Sequence, residues 1–148
     1  MTNMEARISA LEDIEQIRQL KAAYCEACDD DHNGDAVAQL FIPDGVWQRS
    51  GDRPHEGHDE IAAQMFGIRD RQFMVRSSHM VTNPVIDIDG DEAAGHWKFV
   101  MLYTGTDGAF TRIIGRYTDR YTRYEGEWRF RSLFAQVDER GVYRAEPS

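Results

Sequence analysis

Three scarcities narrow the field before any motif is considered. The chain carries only two cysteines, too few for a disulfide framework, and both lie in one CxxC, so no second pair completes a zinc site. No apolar run is long enough to cross a bilayer, and the first residues, MTNMEARISALEDIEQ, contain nothing like the apolar stretch of a secretory signal. The expected setting is therefore a reducing cytoplasm with free thiols. Positive charge is also short, with 17 Lys and Arg against 26 Asp and Glu. Nucleic acid and anionic membranes are recognised by clustered basic residues, so neither is an expected partner. What remains, 41% apolar and 29% charged residues in 148, is ordinary for one globular domain with its own core, expected to span 1–148 without internal repeats.

Leu11, Ile14, Ile17, Leu20, Tyr24 and Ala27 recur at steps of three and four, which predicts a first helix. Ser9 and Glu12 suit a capping box at its start, and Ala22 and Ala23 suit a close approach by another element. The run Asp29-Asp30-Asp31-His32-Asn33-Gly34 ends that helix with turn formers. Asp35 then caps a short helix with Val37, Leu40 and Phe41 inward. Pro43-Asp44-Gly45 turns the chain into a strand over Val46–Arg49, and Ser50–Gly57 is a polar loop. Asp59–Gly67 reads as a third helix, with Ile61, Met65 and Phe66 inward. The period then changes to that of strands over Arg76–Asp89, Ala93–Thr104, Phe110–Tyr124 and Trp128 to about Val137, joined by Gly-containing turns. Helices followed by a meander of strands indicate an α+β domain with an antiparallel sheet. The segment HWKFVMLY, residues 96–103, is apolar on both faces. One face can meet a pocket roofed by the first helix and the other a neighbouring subunit.

Several motifs carry little. Asp29-x-Asp31-x-Asn33-Gly34 matches half of a calcium-binding loop, but the twelfth position, which needs a bidentate Glu, is Leu40. Cys25-Glu-Ala-Cys28 falls late in a helix, whereas redox CxxC motifs open one, so two core-facing thiols are expected. His55 and His58 have metal-ligand chemistry, but their spacing is loose and their loop polar, which points to solvated histidines. Asp87, Asp89 and Asp91 read as solvated hairpin carboxylates. No metal and no cofactor is expected.

Three residues make a stronger set. His79, in SSHMVTN, sits on a strand that should be half buried. An imidazole can abstract a proton when an acid orients it and stabilises its charged form. Asp29 can be that acid, and Tyr24 on the inner helix stripe can polarise a carbonyl or hold a developing oxyanion. Tyr24 and Asp29 are ~140° apart on a straight helix, so both meet one cavity only if the helix ends at Asp29.

The segments IRQLKAAYCEACDDDHNGDAVAQLFIPDGVW, HEGHDEIAAQM, SSHMVTNPVIDIDGDEAAG and GRYTDRYTRYEGEWRFRS, in this order and spacing, resemble the SnoaL-like group of the nuclear-transport-factor-2-like superfamily. Within it the likeness is to scytalone dehydratases, bile-acid 7α-dehydratases and hexachlorocyclohexane dehydrochlorinases. The resemblance implies a cone-shaped, cystatin-like α+β barrel. Its curved, largely antiparallel (mixed) sheet is wrapped by N-terminal helices, usually in a dimeric or trimeric homo-oligomer. It also implies that Tyr24 falls on a pocket tyrosine and Asp29 and His79 on an Asp–His dyad. The dehydrochlorinase pocket arginine, five residues beyond the tryptophan of the last strand, corresponds to Leu133, which leaves Arg131 as a substitute. The expected activity is a cofactor-independent, dehydratase-like elimination on a small hydrophobic cyclic or polyketide-like substrate. Phe73, Leu102, Tyr117 and Arg131 would line its site. Isomerisation or cyclisation through Asp29, and ligand binding without chemistry, are the alternative readings.

Overall fold

The first helix starts earlier than its apolar stripe suggests. In the computed structural model, which describes residues 3–147, α1 runs Met4–Asp29, and the Asn3 side chain accepts the Ala6 N–H at 2.8 Å. Asn3 is thus the cap, and Ser9 and Glu12 lie inside the helix. Ile17, Leu20, Tyr24 and Ala27 are buried as expected, but Leu11 is 67% exposed. Ala22 and Ala23 face solvent as well. Two polar residues share the buried face instead. Asp13 accepts from Trp128 Nε1 at 3.1 Å and pairs with Arg123. Lys21 meets Asp119 at 2.9 Å with both side chains fully enclosed.

After α1 come α2 (Gly34–Ala38), β1 (Phe41–Arg49), β2 (His55–Glu56), α3 (Gly57–Asp70), β3 (Met74–Asp89), β4 (Glu92–Gly105), β5 (Phe110–Tyr124) and β6 (Glu127–Tyr143). Asn33, not Asp35, caps α2 by accepting the Ala36 N–H at 3.1 Å. Pro43–Gly45 does not delay β1. It shifts the register between Phe41 and Val46, and a Cβ at Gly45 would lie 2.9 Å from that of Phe41. The expected polar loop contains the short strand β2, paired with Val46 and Trp47. Sequence and structure agree on β5 residue for residue.

The six strands form one sheet in the order β2-β1-β6-β5-β4-β3. All neighbours are antiparallel except β1 and β6, which are parallel. The chain therefore crosses through α3 to the far edge and meanders back until β6 lies beside β1. The sheet has two free edges and does not close into a barrel; the helices cover one face instead. Against that face Ile17, Tyr24, Phe41, Ile61, Met65, Tyr121 and Phe130 form a core in which each is at most 2% exposed.

The Lys21–Asp119 pair is the polar centre of this core. Tyr121 Oη donates to Asp119 Oδ2 at 2.7 Å, and Trp97 Nε1 donates to Tyr121 Oη at 3.0 Å. Lys21 Nζ lies 3.4 Å from the centroid of the Tyr117 ring, a desolvated cation–π contact. Burial pulls the Lys21 amine below its ordinary pKa and pushes the Asp119 carboxyl above its own, with their mutual attraction opposing both.

Candidate active site

α1 stops at Asp29 because the next turn is built from left-handed backbone. Asp31 and His32 both have φ of 49°, a conformation that Asp, Asn and His tolerate better than most residues. As the last helical residue, Asp29 reaches sideways to β3. Its Oδ1 accepts from His79 Nδ1 at 2.6 Å and from Ser77 Oγ at 2.9 Å, and its Oδ2 accepts the His79 backbone N–H at 2.8 Å. A carboxylate only accepts, so the His79 proton is assigned to Nδ1, leaving Nε2 as a free acceptor. Burial pushes the Asp29 carboxyl upward, but these hydrogen bonds outweigh it and hold its pKa below the ordinary value.

A cavity of about 450 Å³ lies between α1, α3 and the covered face of the sheet, lined by His79, Tyr24, Cys28, His32 and Trp47 among others. Asp29 is not on its wall. It stands behind His79, so the 140° between Tyr24 and Asp29 is no obstacle: one points into the cavity, the other along its side. Tyr24 is 2% exposed. It accepts from Trp47 Nε1 at 2.9 Å, and its hydroxyl also lies beside the Cys28 thiol and the Tyr117 phenol. Burial drives its pKa well above the ordinary phenol value, so the proton stays on. Burial likewise raises Cys25, to about 11, and Cys28. Both are free, enclosed and protonated thiols, as their late position in a helix indicated.

Phe73 and Tyr117 line the cavity. Leu102 does not. It alternates with Met101 and Tyr103, which hold the inner positions on β4, and so projects from the opposite face. Arg131 also lies away from the cavity. It sits at a register shift on β6, exposed, with Nε 3.5 Å from Glu92. Leu133 is 1% exposed in the core. The polar wall is supplied by residues the sequence did not single out, namely His32, Arg49, Ser50 and Arg140.

His32 is the most consequential of these. It is 7% exposed, and its ring centroid lies 6.2 Å from that of His79. Burial, then the neighbouring His79, lowers its pKa to about 4, so it is a neutral imidazole near pH 7. The only clue in the sequence was a histidine inside an acidic turn.

His55 and His58 are not solvated. β2 draws His55 in against Trp47, where it is 6% exposed with Nε2 3.4 Å from Asp52. His58 Nε2 donates to the Phe41 carbonyl at 2.8 Å. Both brace β1 rather than line the cavity. Asp87, Asp89 and Asp91 are exposed, as expected of hairpin carboxylates.

The chain belongs to the SnoaL-like domain family, whose profile matches residues 9–133. Its fold is that of NTF2-like proteins with a cystatin-like architecture. Among solved structures it is similar to a protein of Novosphingobium aromaticivorans provisionally called an aromatic ring hydroxylase, at 26% identity and TM-score 0.81, over 90% of this chain and 94% of that one. A provisional scytalone dehydratase from the same organism superposes with TM-score 0.83 at 20% identity, over 95% and 93%. The hexachlorocyclohexane dehydrochlorinase LinA-type3 of Novosphingobium barchaimii does so with TM-score 0.78 at 17% identity, over 95% and 97%. No curated protein matches the chain at a significant level.

Proposed function

We propose that the protein is a cofactor-independent lyase that eliminates water, or a comparable leaving group, from a small hydrophobic cyclic substrate. The observation that carries this reading is the 2.6 Å contact between His79 Nδ1 and Asp29 Oδ1, made on a strand whose imidazole also lines a cavity. His79 Nε2 takes a proton from a carbon beside a carbonyl. The electron pair forms the new double bond and expels hydroxide from the next carbon, and the imidazolium proton converts that hydroxide to water. Asp29 steadies the imidazolium from behind. Tyr24, held by Trp47, donates its O–H to the carbonyl oxygen as charge develops there. Phe73, Phe99, Met101 and Ile113 supply apolar walls that favour a ring and exclude bulk water.

Two features weigh against proton transfer by Asp29 itself. It stands off the cavity wall, and its pKa is held low rather than raised toward neutrality. The likeness to proteins named as a dehydratase and a dehydrochlorinase supports elimination as the reaction class. The test is a turnover screen of hydroxylated cyclic ketones with wild type, His79→Ala and Asp29→Asn. Dehydrated product from wild type and none from His79→Ala is the expected outcome. Product formed at an unchanged rate by His79→Ala overturns the mechanism.

A further inference from the structure

The pattern of arginines on the sheet carries one more inference. Arg112, Arg116 and Arg144 are neutralised by Glu139, Asp138 and Asp107. Arg49 and Arg140, which line the cavity, form no ion pair with any carboxylate among the described residues. Asp52 feels the charge of Arg49, but it is bonded to the Arg53 N–H and lies 3.4 Å from His55 and 3.3 Å from Gln64. Arg140 makes one neutral contact, donating to Tyr103 Oη at 2.8 Å.

Arg140 reaches the cavity through a backbone device. Val137 pairs with Gly115 and Glu139 with Ile114, so Asp138 is an extra residue in β6. Without it, strict alternation from Ala135 and Val137 would aim Glu139 at the cavity. With it, Asp138 and Glu139 pair with the outer-face arginines 116 and 112, and the inner position passes to Arg140. Bulges re-aim side chains in this way and are common beside active sites. The loop after β1 braces the bulge, since Ser50 Oγ accepts the Val137 N–H at 3.0 Å. The net effect is to replace a carboxylate with a guanidinium on the wall of a protein of net charge -9.

His79, Met101, Ile113 and Arg140 form one row across four strands by successive register pairs. At strand spacing the two ends are roughly 14 Å apart along the sheet, with apolar side chains between. We propose that Arg140 forms a carboxylate-binding subsite, with Arg49 adding positive charge further along the same wall, so that the substrate is an apolar ring bearing a carboxylate on the side away from His79. The proposal rests on the reading of the cavity as the reaction site, and it specifies what that site admits. The Arg140 guanidinium, exposed at the cavity rim, holds a carboxylate by charge-assisted hydrogen bonds and the half-buried Arg49 adds attraction from the same wall, whereas an amide of the same shape gains little from either.

Calorimetric titration tests this with cyclohexane- and benzene-ring carboxylates against their primary amides. The protein forms are wild type, Arg140→Met, Arg140→Lys, the Arg49→Met/Arg140→Met double variant, and His79→Ala as a probe independent of turnover. The expected result is a carboxylate preference of about tenfold or more in wild type and His79→Ala, weakened by salt. It should be kept in Arg140→Lys and reduced to about twofold or less in the double variant, with amide affinity unchanged. Equal binding of carboxylate and amide by wild type, or a preference that survives in the folded double variant, overturns the subsite. A preference that is kept while His79→Ala still turns substrate over sinks the lyase mechanism but leaves the subsite standing.

Discussion

Two of the acid–base contacts that α1 makes with the sheet differ in a way that separates structure from chemistry. Lys21–Asp119 and His79–Asp29 both join α1 to a strand, at 2.9 Å and 2.6 Å. The first pair is sealed, with both side chains at 0% exposure and aromatic rings packed around the amine. The second is open on one side, with the imidazole 8% exposed on a cavity wall and the carboxylate 22% exposed behind it. A sealed pair gives a ligand no access, even to Asp119 Oδ1, which has no hydrogen-bond partner among the described residues. An open pair on a rigid frame keeps one nitrogen free, which is what general base catalysis requires.

The largest expected effect breaks the open pair. His79→Ala should lower turnover by about 10²–10⁴-fold, the usual contribution of general acid–base catalysis, with a melting temperature close to that of wild type. Breaking the sealed pair should do the reverse. Lys21→Met leaves a buried carboxylate uncompensated and should cost about 3–5 kcal/mol in chemical denaturation, while Lys21→Met/Asp119→Leu recovers most of the loss. If Lys21→Met lowered turnover without loss of stability, the division between the two pairs would collapse. Tyr24→Phe removes the phenolic donor and the acceptor used by Trp47. It should reduce kcat more than it raises KM, because the donor matters most as charge develops.

The smallest effect concerns pH. His32 has a pKa of about 4 in the folded protein against an ordinary 6.5. Between these values the unfolded chain binds a proton that the folded one does not, so stability rises with pH across this window and falls on acidification through it. Asp29, whose pKa is lowered below 3.8, acts below that range. His32→Gln should therefore flatten the stability profile between pH 6.5 and about 4, as read by urea denaturation. An unaltered slope would place the acid-sensitive group elsewhere.

Much of the fold was legible because periodicity and turn chemistry are local signals. The strand Phe110–Tyr124 was bounded correctly, and the helix break at Asp29 followed from the turn formers after it. The misses share one cause: they depend on partners distant in sequence. Lys21 looks like a solvated helix lysine until Asp119 is brought to it. Leu102 sits in a segment apolar on both faces, so alternation could not assign its side. His55 seemed solvated because β2, two residues long, leaves no periodic trace. Arg140 lay past the expected end of β6, and its direction depends on a bulge that changes parity. For the candidate site, residue types and the helix end pointed to Tyr24, Asp29 and His79, while the cationic wall left no pattern to read.

General-base chemistry at this site requires that the open pair leave a proton-accepting nitrogen facing the cavity. Nitrogen-15 NMR of the histidine side chains measures this without any substrate. Neutral His79 is expected to carry its proton on Nδ1 with Nε2 unprotonated, and Asp29→Asn is expected to disturb this state. An Nε2-protonated His79 in the wild-type protein, unaltered by Asp29→Asn, would contradict it.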